Sequence, residues 1–194
     1  MTAPKRVIRY VMTFDGGGAP NFEPPVTTLV VCKPRIRRKA QVGDLVLAFN
    51  GKPLSPNPHS VRWAGVVSEV IAIELYWGDK RFRSKRPDHA RAPDNIYRLE
   101  SSAWIQEPNT THDPGQLAND IWGQNALIFG QSWYYGDHAP ELPEEFDLRV
   151  SARRCEPMRD LHAGEWSEIK AWLDNHHQIN PNKRRASARK CGGC

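Results

Sequence analysis

The sequence predicts an α+β fold, a small mixed β-barrel with peripheral helices and one C-terminal helix. Three observations carry that reading. Short apolar, β-branched runs recur as far as Tyr135. The 16 prolines and 14 glycines cut the chain into short elements joined by loops. A single helical pattern of Leu161, Ile169, Trp172 and Leu173 stands near the end.

Val7 to Phe14 is apolar and predicts the first strand, closed by Asp15-Gly16-Gly17-Gly18. Thr27 to Cys32 predicts a strand buried on both faces. Gly43-Asp44 is a turn that launches a strand over Leu45 to Asn50. Gly51 to Pro58 is a proline-rich loop. Val61 to Leu75 is the longest strand-like stretch, rich in valine and isoleucine. Glu74 to Lys80 reads as a helical turn, and Asp79 to Pro93 as a charged, mobile-looking loop. Strands are predicted over Asn95 to Leu99, Ala103 to Gln106 and Asn125 to Phe129, with a polar loop over Pro108 to Asn119. The final helix runs from about Gly164 to His177 and stops before Pro181. The organisation is one domain over 1–180 and a disordered basic tail over 181–194, which has nothing apolar to pack.

The formal net charge of +5 favours an anionic partner without implying indiscriminate coating of DNA. No apolar run approaches the ~18 residues of a membrane span. The N-terminus has no apolar segment after its charges, so no signal peptide is expected. Four cysteines at unrelated spacings then read as reduced thiols in the cytoplasm. Cys191 and Cys194 have the spacing of half a zinc knuckle but no second pair, so no metal and no cofactor is expected.

Two basic segments stand out. In Cys32-Lys33-Pro34-Arg35-Ile36-Arg37-Arg38-Lys39, a strand would put Lys33, Arg35 and Arg37 on one face. A helical turn would align Arg35 with Arg38 instead. Both geometries make cations converge. In the second segment, Lys80, Arg81, Arg83, Lys85 and Arg86 interleave with Trp77 and Phe82. Guanidinium and ammonium groups neutralise phosphates, and aromatic faces stack on bases. The plainer alternative is a solvated charged face for the first segment, and for the second a disordered surface loop that Phe82 merely anchors.

Asp15, Gly16, Gly17 and Asn21 form a turn whose backbone can approach a phosphate or base edge, with Asp15 as acceptor or base. Asp94, Asn95, Tyr97, His112, Asp113 and Asp120 are further acid–base candidates, and His112 and Asp15 lead them. Cys32 reads as a core thiol. Asn95 and Tyr97 would share a strand face and line one cleft with Asp15 to Asn21 and Lys33 to Arg38. Ser132-Trp133-Tyr134-Tyr135-Gly136 reads as an aromatic wall. No nucleophile elbow, Walker A or dinucleotide fingerprint is present.

Several pieces in fixed order carry a family resemblance. They are Phe14-Asp15-Gly16-Gly17, Ala19-Pro20-Asn21, and Leu29 to Cys32-Lys33-Pro34-Arg35-Ile36-Arg37. Gly43-Asp44, Tyr76-Trp77, Arg81-Phe82 with Lys85 and Pro87, and Asp94-Asn95-Ile96-Tyr97 follow, then Trp104, His112 and Tyr135-Gly136. The set resembles the nucleotide modification associated domain 2 family of bacteria and phages, over about Arg6 to Met158. Leu45 stands where that family has an aromatic. The resemblance implies work around modified nucleic-acid bases and carries over no catalytic residue. The Gly43-Asp44 turn with its apolar strand is also similar to PUA-like, ASCH and EVE barrels, which hold nucleotides or modified bases.

Two functions follow. The first is binding of a nucleotide or modified nucleobase in a cationic, aromatic-walled pocket. That pocket would use Asp15, Gly16, Gly17, Asn21, Lys33, Arg35, Arg37, Arg38, Trp77, Arg81, Phe82, Arg83, Lys85, Asn95, Tyr97 and Tyr135. The second is an enzyme that transfers or removes a group on such a base, with Asp15 and His112 as its acid–base pair. The sequence leaves binder and enzyme open. The expected partner is a nucleotide or nucleic acid, DNA first.

Overall fold

Apolar β-branched runs become strands where partners exist to pair with them. The computed structural model describes residues 4–109, 112–150 and 158–180. The tail from 181 onward, with Cys191 and Cys194, and the segment holding Cys155 lie outside the described residues.

In chain order the elements are β1 (Arg6–Met12), β2 (Thr27–Leu29), α1 (Pro34–Lys39), β3 (Leu45–Asn50), β4 (Val61–Ala72) and α2 (Ile73–Tyr76). A 3-10 segment over Lys80–Lys85 leads to β5 (Tyr97–Glu100) and β6 (Ala103–Gln106). Then come α3 (Leu117–Trp122), β7 (Asn125–Tyr134), β8 (Arg159–Asp160) and α4 (Glu165–Asp174). Among these residues no helix is long and apolar enough to cross a membrane.

The main sheet has six strands in the order β2-β7-β4-β3-β1-β8, and β5 with β6 forms a separate two-stranded sheet. β1 runs parallel to β3, with Val7 beside Leu45 and Met12 beside Asn50. The other described pairings, β1 with β8, β2 with β7 and β3 with β4, are antiparallel. The mixed α+β class is as expected. The expected barrel is not closed among the described residues. Its edge strands hold only three residues in β2 and two in β8, too short a ladder for closure.

The chain divides into two compact units. The first takes residues up to Asp15, 41–68 and 130–180. Its core joins Val7, Leu47, Phe49, Trp133 and Tyr135 to Ile169 and Leu173 of α4. Gly43 adopts φ 91°, which needs a glycine. Beside it, Asp44 accepts Gln41 N–H and two bonds from Arg6, at 2.9 and 2.6 Å. That clamp fixes the start of β3 against β1. The predicted aromatic wall packs on α4: Tyr135 OH donates to Leu173 O at 2.6 Å, and Trp133 Nε1 donates to Asp174 Oδ1 at 2.8 Å.

The second unit takes residues 16–40 and 69–129. Its core holds Val30, Val31, Ile73, Tyr76, Phe82, Ile96, Tyr97, Ala126 and Ile128. The segment read as a mobile-looking loop is built instead. Phe82 is buried and stacks on Tyr76 with ring centroids 4.6 Å apart. The Asp79 side chain caps the 3-10 segment by accepting Arg81 N–H at 2.9 Å. The polar stretch before Asn125 likewise contains α3, a six-residue helix whose Leu117 and Ile121, one turn apart, pack against the core of the unit.

Candidate functional site

Both units hold buried polar networks, and the densest lies in the second. After β2 the chain continues through Val30 and Val31 into Cys32 and Lys33, at φ 58° and 47°. Two successive non-glycine residues in the left-handed region are uncommon. Pro34 then opens α1 with its φ preset for a helix. This sharp strand-to-helix turn holds Cys32, itself buried, and aims its N–H at α3. There Asp120 Oδ1 accepts that N–H at 2.7 Å.

Asp120 is the hub, wholly buried. Its Oδ2 accepts Tyr97 OH at 2.8 Å and lies 2.6 Å from His112 Nε2. The contact with His112 has the distance of an ion pair without hydrogen-bond alignment. The other ring nitrogen, Nδ1, is 4.0 Å from Cys32 Sγ. Burial and the Asp120 charge push the Tyr97 hydroxyl far above its ordinary range, so it stays a donor.

Arg37 closes the cluster from α1 and is fully buried. Its Nε donates to Cys32 O at 2.7 Å, Nη1 to Asn125 O at 2.9 Å, and Nη2 to Asp120 O at 2.7 Å. Burial lowers its pKa from the usual guanidinium value, and the Asp120 charge opposes that. Gly123 leaves room for this guanidinium: a Cβ there would lie 2.4 Å from Arg37 Cζ.

A second network in the same unit surrounds Lys85, also fully buried. Its ammonium donates to Asn21 Oδ1 at 2.9 Å and Glu23 O at 2.6 Å. Asn21 in turn donates to Ala92 O at 2.8 Å. Asp94 accepts Thr28 Oγ1 at 2.5 Å and the more distant Tyr76 OH. Burial raises its carboxyl to about 6, and the Lys85 charge pulls the other way. Asn95 donates to Phe82 O at 3.1 Å while its Oδ1 stays buried without a partner.

In the first unit, Asp15 Oδ2 accepts Arg62 Nε at 2.5 Å and Tyr134 OH at 2.6 Å. Arg62 also reaches Asp137, Asn50 and Gly136 O. Asp15 and His112 therefore fall in different units, each held by its own partners.

The structure thus sorts the predicted site residues. Arg37, Phe82, Lys85, Asn95, Tyr97, His112 and Tyr135 are buried, as is Asn21. Gly17 is buried at φ 87°, and Gly16 is exposed. Arg81 is paired to Glu69 and Asp79 at 2.8 and 2.7 Å. Trp77 lies under the Arg86 guanidinium at 4.1 Å. Lys33 caps α1 half-buried, and Arg35, Arg38 and Arg83 face solvent. Arg38 lies 4.7 Å from the ring centre of Trp122, which is 49% exposed.

Cys32 is buried, as expected of a core thiol. Trp122 and Arg62 were not singled out from the sequence.

The model of the nucleotide modification associated domain 2 family matches residues 4–188 of the chain. No curated protein and no solved structure matches it.

Proposed function

The chain belongs to the nucleotide modification associated domain 2 family, and we propose that it binds a nucleotide or a modified nucleobase of DNA through the outward cations of its second unit. The observation that carries this reading is the outer face of α1 and α3. Arg35 and Arg38 are three residues apart on α1 and so share a helix face. Among the described residues neither is paired with a carboxylate. Arg38 lies over the exposed Trp122 ring at 4.7 Å. Two phosphate-seeking charges beside an exposed indole suit a nucleotide: the guanidiniums take phosphate, and the ring offers a base a stacking face. Lys80, Arg83 and the Arg86–Trp77 stack repeat the same pairing in the Lys80–Lys85 region. The cytoplasm of a bacterium or a phage-infected cell is the compartment that fits this substrate. The likeness of the Gly43-Asp44 turn to PUA-like barrels belongs to the same reading.

The test is fluorescence anisotropy with a short single-stranded oligonucleotide across a salt series. Arg35→Ala and Arg38→Ala should each weaken binding and reduce the slope of log K against log salt by about 0.7. Trp122→Ala should cost about 1–3 kcal/mol of stacking. Binding with an unchanged slope in the double arginine variant would remove the proposal.

A further inference from the structure

Beneath α1, the cluster around Asp120 has parts that base stacking and phosphate contact do not use. We propose that Cys32 is a nucleophile, that His112 is its general base, and that Asp120 is the positioning residue behind the imidazole. The substrate class is an acyl or amide group carried on a nucleotide. That substrate rests on the family reading above. The activation of the thiol does not.

The geometry assigns the protons. A carboxylate that already accepts the Cys32 N–H, Tyr97 OH and Arg37 is an acceptor. Asp120 Oδ2 lies 2.6 Å from His112 Nε2, so its charge favours the ring proton on Nε2, and a small rotation of the ring would align that N–H with the carboxylate. Nδ1 is left with its lone pair toward Cys32 Sγ, 4.0 Å away. This is the order of roles in a nucleophile–imidazole–carboxylate triad, set here on one short turn, one loop and α3. Cys32 itself is clamped from both sides, its N–H on Asp120 and its C=O on Arg37 Nε. These bonds satisfy and fix the backbone of Cys32, which keeps the thiol in place beside Nδ1.

The reaction balances with water alone. Nδ1 takes the thiol proton as sulfur attacks the carbonyl carbon and a C–S bond forms. Collapse breaks the C–N or C–O bond, and the imidazolium returns its proton to the leaving amine or alcohol. Water then attacks the thioester, giving one proton to Nδ1. The C–S bond breaks, the carboxylic acid leaves, and the thiol is restored. The sum is amide or ester plus water to acid plus amine or alcohol. No oxidant, reductant or second donor is required.

The experiment uses the full chain with Cys155→Ser, Cys191→Ser and Cys194→Ser, so that Cys32 is its one thiol. Alkylation by iodoacetamide is followed by intact mass at neutral pH. The expected result is that native Cys32 reacts faster than glutathione and faster than the same chain unfolded in urea. His112→Gln, with its melting temperature checked alongside, should slow it at least about tenfold. An aryl acetate should leave an acetyl group on Cys32 that then disappears in water. A native thiol slower than the unfolded one would identify a shielded core cysteine and overturn the proposal. So would a folded His112→Gln variant of unchanged rate. Should that variant not fold, the native-against-urea comparison and the acetyl adduct still decide. No nucleotide enters these measurements, so their failure is separate from failure of the binding surface.

Discussion

The two basic segments of the second unit look alike in sequence and are used differently. Each sends one cation inside: Arg37 from α1 and Lys85 from the 3-10 segment, both fully buried. Arg37 is pinned among Cys32, Asp120 and Asn125, where an acid, an imidazole and a thiol meet. Lys85 is pinned on Asn21 and Glu23 O, where it ties the glycine turn to the rest of its unit. The outward charges differ too. Arg81 is neutralised by Glu69 and Asp79, whereas Arg35 and Arg38 face solvent beside Trp122. A charge run is therefore not one object. Its interior member builds the fold, and its outward members are available to an anion in proportion to how few carboxylates stand near them.

The comparison is broken most sharply at Arg37. Arg37→Ala leaves the Asp120 charge buried and several carbonyls without donors, and should cost about 3–5 kcal/mol in urea unfolding. Gly123→Ala should itself destabilise by about 1–3 kcal/mol, because the new Cβ overlaps a guanidinium that cannot move. In the Arg37→Ala background that second cost should shrink, since the two changes share one space. Full additivity in a double-mutant cycle would show that Arg37 is not held as described.

A pH profile comes next. Asp94 has a folded pKa of about 6 against an ordinary 3.8. A carboxyl raised by burial contributes stability when protonated, fully present below about 3.8 and lost as pH rises through about 6. The parent should therefore lose up to about 3 kcal/mol relative to Asp94→Asn between about pH 4 and pH 7. Parallel profiles would remove the claim that Asp94 is charged at a cost beside Lys85.

Lys85→Met keeps the buried stem and deletes the ammonium. It should cost about 1–3 kcal/mol through the acceptors left at Asn21 and Glu23, and should leave Cys32 alkylation unchanged. A changed alkylation rate would join the two segments into one device. Last and smallest, Arg35→Ala and Arg38→Ala should move stability by no more than about 0.5 kcal/mol while altering the salt slope of binding. A large loss of stability from either would mean that the outer face of α1 is structural after all.

What the sequence showed and hid follows from the range of the interactions. β3 is legible to the residue because Leu45 to Phe49 is an uninterrupted apolar run between a Gly-Asp turn and the polar Asn50-Gly51. α4 is legible through Ile169 and Leu173, one helical turn apart and both buried. The segment around Phe82 was not, because what orders it lies elsewhere: Lys85 finds Asn21 across 64 residues. α3 offers a single apolar pair, Leu117 and Ile121, too short a repeat to read from sequence, and the partners of its polar hub lie far along the chain. His112 and Asp120 are recognisable as acid–base types from composition, but their meeting with Cys32 spans 80 and 88 residues. Only the fold supplies that. The class of the fold was legible from strand propensity. The open edges were not, since propensity does not say which strand lacks a neighbour.

The bare backbone at Gly123 has a consequence at the level of the gene. Every missense change in a glycine codon introduces at least a Cβ, and at this position the Cβ would overlap the buried guanidinium. Codon 123 should accept synonymous changes and little else. Codons 35 and 38 should exchange arginine for lysine freely as far as folding is concerned. A saturation library selected for folded protein would thus draw the boundary between the interior and the outer face of this small region letter by letter.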